Sequence, residues 1–436
     1  MIQHSLNFNQ AYQPFLGCIA DDVTGATDLS LNLVQGGMEV VQWLKIPTLE
    51  QLQSVYADAA VVALKIRSIQ ANEAVEQALS ALQILEAAGC QRYYFKYCST
   101  FDSTEQGNIA PIAEALLDAL SSDQTIFCPA FPEAGRTVYT GHLFVNDQLL
   151  NESGMQNHPL NPMNDANLIR VLSKQSTRKV GLLHLRDIEL GPDNIQQKLR
   201  SLKENGCTFV IVDTLGNQHL GQLATACADF KLITGGSGLA RFLAGAYQSK
   251  QLVDGKETPI DTTSKIGRSA VLSGSCSTAT LQQVDNFKEY CVFYQIDIPQ
   301  LMQNEQQATE HILDWVNKQP IDQPLMIYSS DEHKNVNVLQ QQYGSENVAN
   351  KVECLQARLA KSLVDNFGVK KLIVAGGETS SAVAAALDIQ ALRIGAEIAP
   401  GVPWTESISD QPINLAFKSG NFGDEKFFQT ALEMLQ

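Results

Sequence analysis

The chain has 436 residues, with 31 Lys and Arg against 47 Asp and Glu and a formal net charge of −16. An acidic balance without a basic stripe argues against nucleic acid and anionic membrane surfaces as partners, and the length suits two domains that each bury a core. No run approaches the roughly 20 apolar residues that cross a bilayer.

The amino terminus lacks a basic start, and its apolar run over 15–20 is short, so no signal peptide is expected. The nine cysteines are scattered, with neither Cys-x-x-Cys nor zinc spacing. They read as reduced thiols of a cytoplasmic protein.

Strand and helix patterns alternate along the chain. Strands are expected over 15–20, 40–44, 60–65, 93–97, 125–128, 180–185, 208–213 and 231–233. The clearest helix covers 72–88, with Val75, Leu79, Leu82 and Leu85 as its apolar stripe and Gly89 closing it. Residues 136–164 read as a hairpin and a long loop, a kind of segment that often binds ligands. The polar stretch 249–268 is the expected linker between domains 1–248 and 269–436. Beyond it, strands are expected over 270–272, 292–296, 325–328, 372–375, 392–394 and 415–417, with a long helix over 346–367. Alternation of this kind predicts an α/β fold: two domains, each a mostly parallel sheet flanked by helices.

Several strand ends carry chemistry. Asp21 and Asp22 follow the first strand, where ligands gather in open α/β sheets. One carboxylate can face a pocket and accept a hydroxyl proton while the other holds the loop; a turn and helix cap explain the pair equally well. The stretch 96–108 gathers Lys96, Asp102, Ser103 and further hydroxyls, a surface suited to a small polyhydroxy acid, although a plain polar loop has the same look. Arg136 can grip a carboxylate or phosphate with two bonds, or stand in a surface turn. His142 and His158 read as structural. The turn at 234–240 is open between ligand contact and tight packing.

In the second half, Gly376-Gly377-Glu378-Thr379-Ser380-Ser381 lies between a strand and an alanine-rich helix. Glycines allow a sharp turn, and the hydroxyls can cap the helix; free N–H groups there favour a phosphate. Ser273 to Thr278 and Lys418 to Gly423 also follow strands. Three such loops make a nucleotide site credible. No Walker A loop, dinucleotide fingerprint or Gly-x-Ser-x-Gly elbow occurs.

In this order the motifs resemble the four-carbon acid sugar kinases. The carriers are Ala20-Asp-Asp-Val-Thr-Gly-Ala26, Asp102-Ser-Thr104, Phe131-Pro-Glu-Ala-Gly-Arg136, Thr234-Gly-Gly-Ser-Gly-Leu239, Gly376-Gly-Glu-Thr-Ser380 and Ser419-Gly-Asn-Phe-Gly423. Within the family the chain is most similar to the 3-oxo-tetronate kinases, through 96–104 and 151–162. Glu105-Gln106 stand where the threonate and erythronate kinases usually show Leu-Arg, which points away from a plain tetronate.

The resemblance implies an amino-terminal sugar-acid domain, a carboxy-terminal nucleotide domain and an active-site cleft between them. The implied reaction is transfer of the γ-phosphoryl of ATP to the C4 hydroxyl of a 3-oxo-tetronate. Asp22 is the expected base. Asp21, Thr24, Lys96, Asp102, Ser103 and Arg136 are expected to bind substrate. Ser273, Ser275, Ser277, Gly376, Gly377, Glu378, Thr379 and Gly420 are expected to bind nucleotide. Mg²⁺ is implied by the chemistry, with Glu378 as a candidate ligand. A homo-oligomer is compatible with this reading. The alternatives are a D-threonate or D-erythronate kinase, a non-catalytic nucleotide-linked sugar-acid sensor, and a nicotinamide dehydrogenase of the same acids.

Overall fold

Runs of small and β-branched residues make the strands of the amino-terminal half. They are β1 (Leu16–Ala20), β2 (Val40–Trp43), β3 (Ala59–Ala63), β4 (Arg92–Lys96), β5 (Thr125–Cys128), β6 (Arg136–Tyr139), β7 (His142–Val145), β8 (Gln148–Leu149), β9 (Lys179–Leu183), β10 (Cys207–Val212) and β11 (Leu232–Gly235). Five of them, β1, β2, β3, β5 and β11, are buried along their whole length, as strands covered on both faces must be. The computed structural model describes residues 11–157, 161–253, 263–330, 338–339 and 341–435. The chain divides into two units, Met1–Pro259 and Ile260–Gln436. Residues 254–262 of the expected linker, and His158 in the segment 151–162, lie outside the described residues.

In the first unit eight strands pair in the order β2-β3-β1-β4-β11-β5-β10-β9, every pair parallel. The chain leaves β1 toward β2 and leaves β4 toward β5. The carboxyl ends of β1 and β4 therefore flank a switch point, where connections depart in opposite directions and leave a crevice. Strands β6, β7 and β8 form a separate antiparallel sheet, which realises the hairpin expected after Arg136.

The expected helix runs Ala71–Ala87, and Gly89 follows it with φ +95°. Its deepest residues are Ala74, Ala78, Ala81, Leu82 and Leu85; Val75 and Leu79 are only half-buried. The stripe is shifted because alanines let the helix backbone approach its neighbours closely, a preference that hydrophobicity alone does not register.

The second unit contains β12 (Arg268–Ser273), β13 (Val292–Gln295), β14 (Leu325–Tyr328), β15 (Val369–Ala375), β16 (Ala391–Ala399), β17 (Val402–Ser407) and β18 (Asn414–Lys418). Their order is β13-β14-β12-β15-β18-β17-β16. The first five are parallel; β17 pairs antiparallel with both β18 and β16. The sequence reading did not anticipate β17. Its core anchor is Trp404, fully buried, with Nε1 donating 2.8 Å to the Ala431 carbonyl. Here β12 and β15 flank the switch point, because the chain leaves β12 toward β13 and leaves β15 toward β16, on opposite sides.

Among the described residues no helix is long and apolar enough to cross a membrane, and the nine cysteines are all free.

Candidate active site

In the first unit four adjacent strands, β3, β1, β4 and β11, deliver polar side chains from their carboxyl ends. Asp21 and Asp22 come directly after β1. Asp22 is extended (φ −149°, ψ 160°) and caps the helix Val23–Gln35, its Oδ1 accepting from Gly25 N at 3.0 Å. Arg67, beyond β3, donates through Nε and Nη2 to the two oxygens of Asp21, both at 2.8 Å. The same Nη2 reaches Asp22 Oδ1 at 2.6 Å. Both bonds to Asp22 fall on Oδ1, so its Oδ2 accepts none among the described residues. Asp21 is almost fully buried. Burial pushes its carboxyl above the usual range, and the Arg67 guanidinium pulls against that shift.

Lys96 closes β4 and is buried. A Cβ at position 25 would lie 2.5 Å from Lys96 Nζ, so the glycine gives the ammonium room under the helix start. Asp28, six residues after Asp22, faces the same cluster. It accepts from Ser237 Oγ, beyond β11, and feels Lys96, Asp22 and Arg136. Burial raises the Asp28 carboxyl, with Lys96 and Ser237 opposing. Arg136 donates through Nη1 to the Ala134 carbonyl, while its Nε is buried without a partner among the described residues.

The remaining expected residues are less central. Thr24 is exposed in the first helical turn. Asp102 is buried, accepts from Thr100 Oγ1 at 2.6 Å and lies 3.9 Å from Arg67 Nη1. The Ser103 hydroxyl accepts from Gln175 Nε2 at 2.9 Å and from Ile109 N at 3.4 Å, so it serves the loop itself. Ser103, His142, Arg170 and Lys174 line a cavity of about 790 Å³ that excludes Asp21, Asp22, Lys96 and Arg136. Its cations are neutralised, Arg170 by Asp165 at 2.6 Å and Lys174 by Glu105. The carboxylate–guanidinium cluster, with its open acceptor Oδ2 and unpaired Nε, has the capacity for chemistry that this cavity lacks.

The sequence reading missed Arg67, Asp28 and Ser237 as site residues. Arg67 had one readable signal, its place just past a strand neighbouring the first. Asp28 had none, because its role depends on where β11 lies in the sheet.

In the second unit the loops after β12, β15 and β18 meet around a cavity of about 340 Å³. Ser275, Gly376, Gly377, Glu378, Thr379 and Gly420 line it. Ile298, Val348 and Val352 offer an apolar wall on which a flat base can rest. Gly376 has φ +133°, a conformation closed to other residues, and begins the helix Gly377–Ala386. Among the described residues no side chain caps this helix. The expected hydroxyl cap is absent: Ser380 Oγ donates to the Val374 carbonyl and Ser381 Oγ to that of Gly377, because both sit past the helix start. The uncapped N–H groups and helix dipole are therefore available to an anion.

Ser273 and Ser277 do not line the cavity. Ser273 Oγ pairs with Ser330 Oγ at 2.7 Å inside the core. Ser277 caps the helix Thr278–Phe287, and its hydroxyl donates 2.6 Å to the Gly420 carbonyl. It shapes the loop that Gly420 occupies. At the cavity edge the carboxyls of Glu353 and Glu378 hydrogen-bond each other. Burial first, then the charge of Glu378, raises Glu353.

Known proteins share this organisation. A sugar-binding N-terminal domain family matches residues 16–243, and a nucleotide-binding C-terminal domain family matches 270–428. A 3-oxo-tetronate kinase of Pseudomonas fluorescens is 47% identical over 427 residues, covering 97% of each chain. One from Cupriavidus necator is 46% identical, covering 98% of each. A crystal structure of a Haemophilus influenzae protein superposes with a TM-score of 0.87 at 42% identity, covering 96% of this chain and 100% of the other. The chain belongs to the four-carbon acid sugar kinases, the family that contains the 3-oxo-tetronate kinases.

Proposed function

We propose that this protein transfers the γ-phosphoryl group of ATP to the C4 hydroxyl of a 3-oxo-tetronate, giving the 4-phosphate and ADP. The observation that carries the reading is the Asp22 carboxylate. One oxygen is fixed by Gly25 and Arg67, and the other is open to accept a proton.

The C4 oxygen attacks the γ-phosphorus, the bond from that phosphorus to the β-phosphate oxygen breaks, and the hydroxyl proton passes to Asp22 Oδ2. Asp21, locked on Arg67, holds the loop in register. Lys96 and Arg136 bind the substrate carboxylate; the unpaired Arg136 Nε is a donor in waiting. The uncapped helix start at Gly377 and the loop at Ser275 bind phosphate oxygens. The paired carboxylates of Glu353 and Glu378 fit a divalent cation, since two acids that meet in a cavity invite a charge between them. Glu353 and Glu378 would hold Mg²⁺ there, and it would neutralise triphosphate charge.

A substrate panel read by coupled ADP detection tests this. Turnover of 3-oxo-tetronate well above D-threonate and D-erythronate is expected. Preference for either plain tetronate would overturn the substrate assignment. ATP binding with no turnover of any four-carbon acid would favour a sensor.

A further inference from the structure

Lys418 ends β18 inside the second unit and is 1% exposed. Its Nζ donates 3.0 Å to Thr280 Oγ1 and 3.2 Å to the Gly420 carbonyl. The same carbonyl accepts from Ser277 Oγ at 2.6 Å and Thr280 Oγ1 at 2.8 Å. The Phe427 ring lies 5.8 Å away. No carboxylate among the described residues pairs with this ammonium. On the neighbouring elements Asp285 takes Lys288, Glu406 takes Lys265, Asp424 accepts from the Lys426 N–H, Glu433 accepts from Gln429, and Glu378 meets Glu353. Lys371 of β15 donates to the Leu435 carbonyl. Burial alone lowers Lys418, to about 8.

An uncompensated buried cation is costly, and an anion bound nearby offsets that cost. Three donors on one carbonyl also fix the peptide after Gly420. Its trans geometry turns the Asn421 N–H the opposite way, out of the clamp. A Cβ on Gly420 would collide with Ser275 Oγ and lie 2.8 Å from Ser277 Oγ, so the loop has little freedom to relax.

We propose that Lys418 is a positioning residue for ATP: its ammonium pins the Gly420 carbonyl and provides positive charge that the bound triphosphate neutralises. This rests on the nucleotide reading of the second unit. As its Mg²⁺ complex, ATP is fully ionised above pH 7, so further pH dependence of its binding reports on the protein.

The test is calorimetric titration of the full chain with Mg-ATP from about pH 7 to about pH 9.5. The wild-type Kd is expected to rise by up to about tenfold per unit above pH 8. Lys418→Met should bind roughly tenfold or more weakly, with a flat profile, and raise KM for ATP more than it lowers kcat. Lys418→Arg, charged throughout, should recover part of the affinity and stay flat. Unchanged affinity and profile in Lys418→Met would overturn the proposal while leaving the nucleotide reading intact. No ATP binding by wild type at any pH would overturn that reading itself. Should Lys418→Met fail to fold, a wild-type Kd that is flat across the range overturns the proposal unaided.

Discussion

At the scale of single residues, Asp22 and Arg67 do separable work. Asp22→Asn keeps the helix cap but loses proton affinity. It should lower kcat by roughly 100-fold to 10,000-fold with ATP affinity unchanged, as stopped-flow and equilibrium binding would show; near-normal turnover removes Asp22 from the base role. Arg67→Met strands the Asp21 carboxylate, 4% exposed, without its guanidinium. Loss of roughly 3–5 kcal/mol is expected from denaturant unfolding at pH 7. The penalty should shrink as pH falls, because a carboxyl that burial has raised takes up its proton in the folded state first. Lys418 behaves oppositely. Its folded pKa, about 8, lies below the ordinary 10.5, so burying its charge costs most below pH 8. The cost is relieved as pH rises from 8 toward 10.5. The stability advantage of Lys418→Met over wild type should therefore be largest at neutral pH and fade across that window, in paired melts.

At the scale of elements, both halves place their chemistry by one rule: a parallel strand ends, the chain turns, and a helix begins. In the second unit this rule depends on Gly376. Its φ of +133° makes Gly376→Ala strained, and the added Cβ would sit 3.0 Å from Thr379 Oγ1. Strain of roughly 1–3 kcal/mol should appear as a five-fold or greater rise in KM for ATP, with the first unit's substrate binding intact. Equal loss of both would show that the turn supports the whole fold instead. Elements were largely legible in the sequence, because buried parallel strands read as continuous apolar runs. β17 was not, because Val402–Ser407 alternates Pro, Thr and Glu among its apolar residues and becomes a strand only by pairing antiparallel with β16 and β18. The hydroxyl cap predicted for the helix Gly377–Ala386 failed for a local reason. The glycine turn starts the helix before any hydroxyl reaches the capping position.

At the scale of the whole molecule, the proposed function gives each unit its own ligand, and each ligand should protect its own loops. ATP is expected to slow amide exchange after β12, β15 and β18, and a 3-oxo-tetronate to slow it after β1, β3 and β4, in hydrogen-exchange mass spectrometry. ATP protection confined to the first unit would reverse the assignment. The sequence alone determined the alternation of strands and helices, the glycine turns and the paired Asp21 and Asp22. These depend on periodicity and on local backbone preference, both written in consecutive residues. Tertiary structure alone decided that Arg67 locks Asp21, that Asp28 and Ser237 join the cluster, and that Lys418 is buried without a counter-charge among the described residues. Those facts follow from strand order: β3, β1, β4 and β11 are neighbours in the sheet although their carboxyl ends are separated by up to two hundred or so residues of chain. Spatial order of this kind is set by how layers pack, and no short stretch of sequence encodes it.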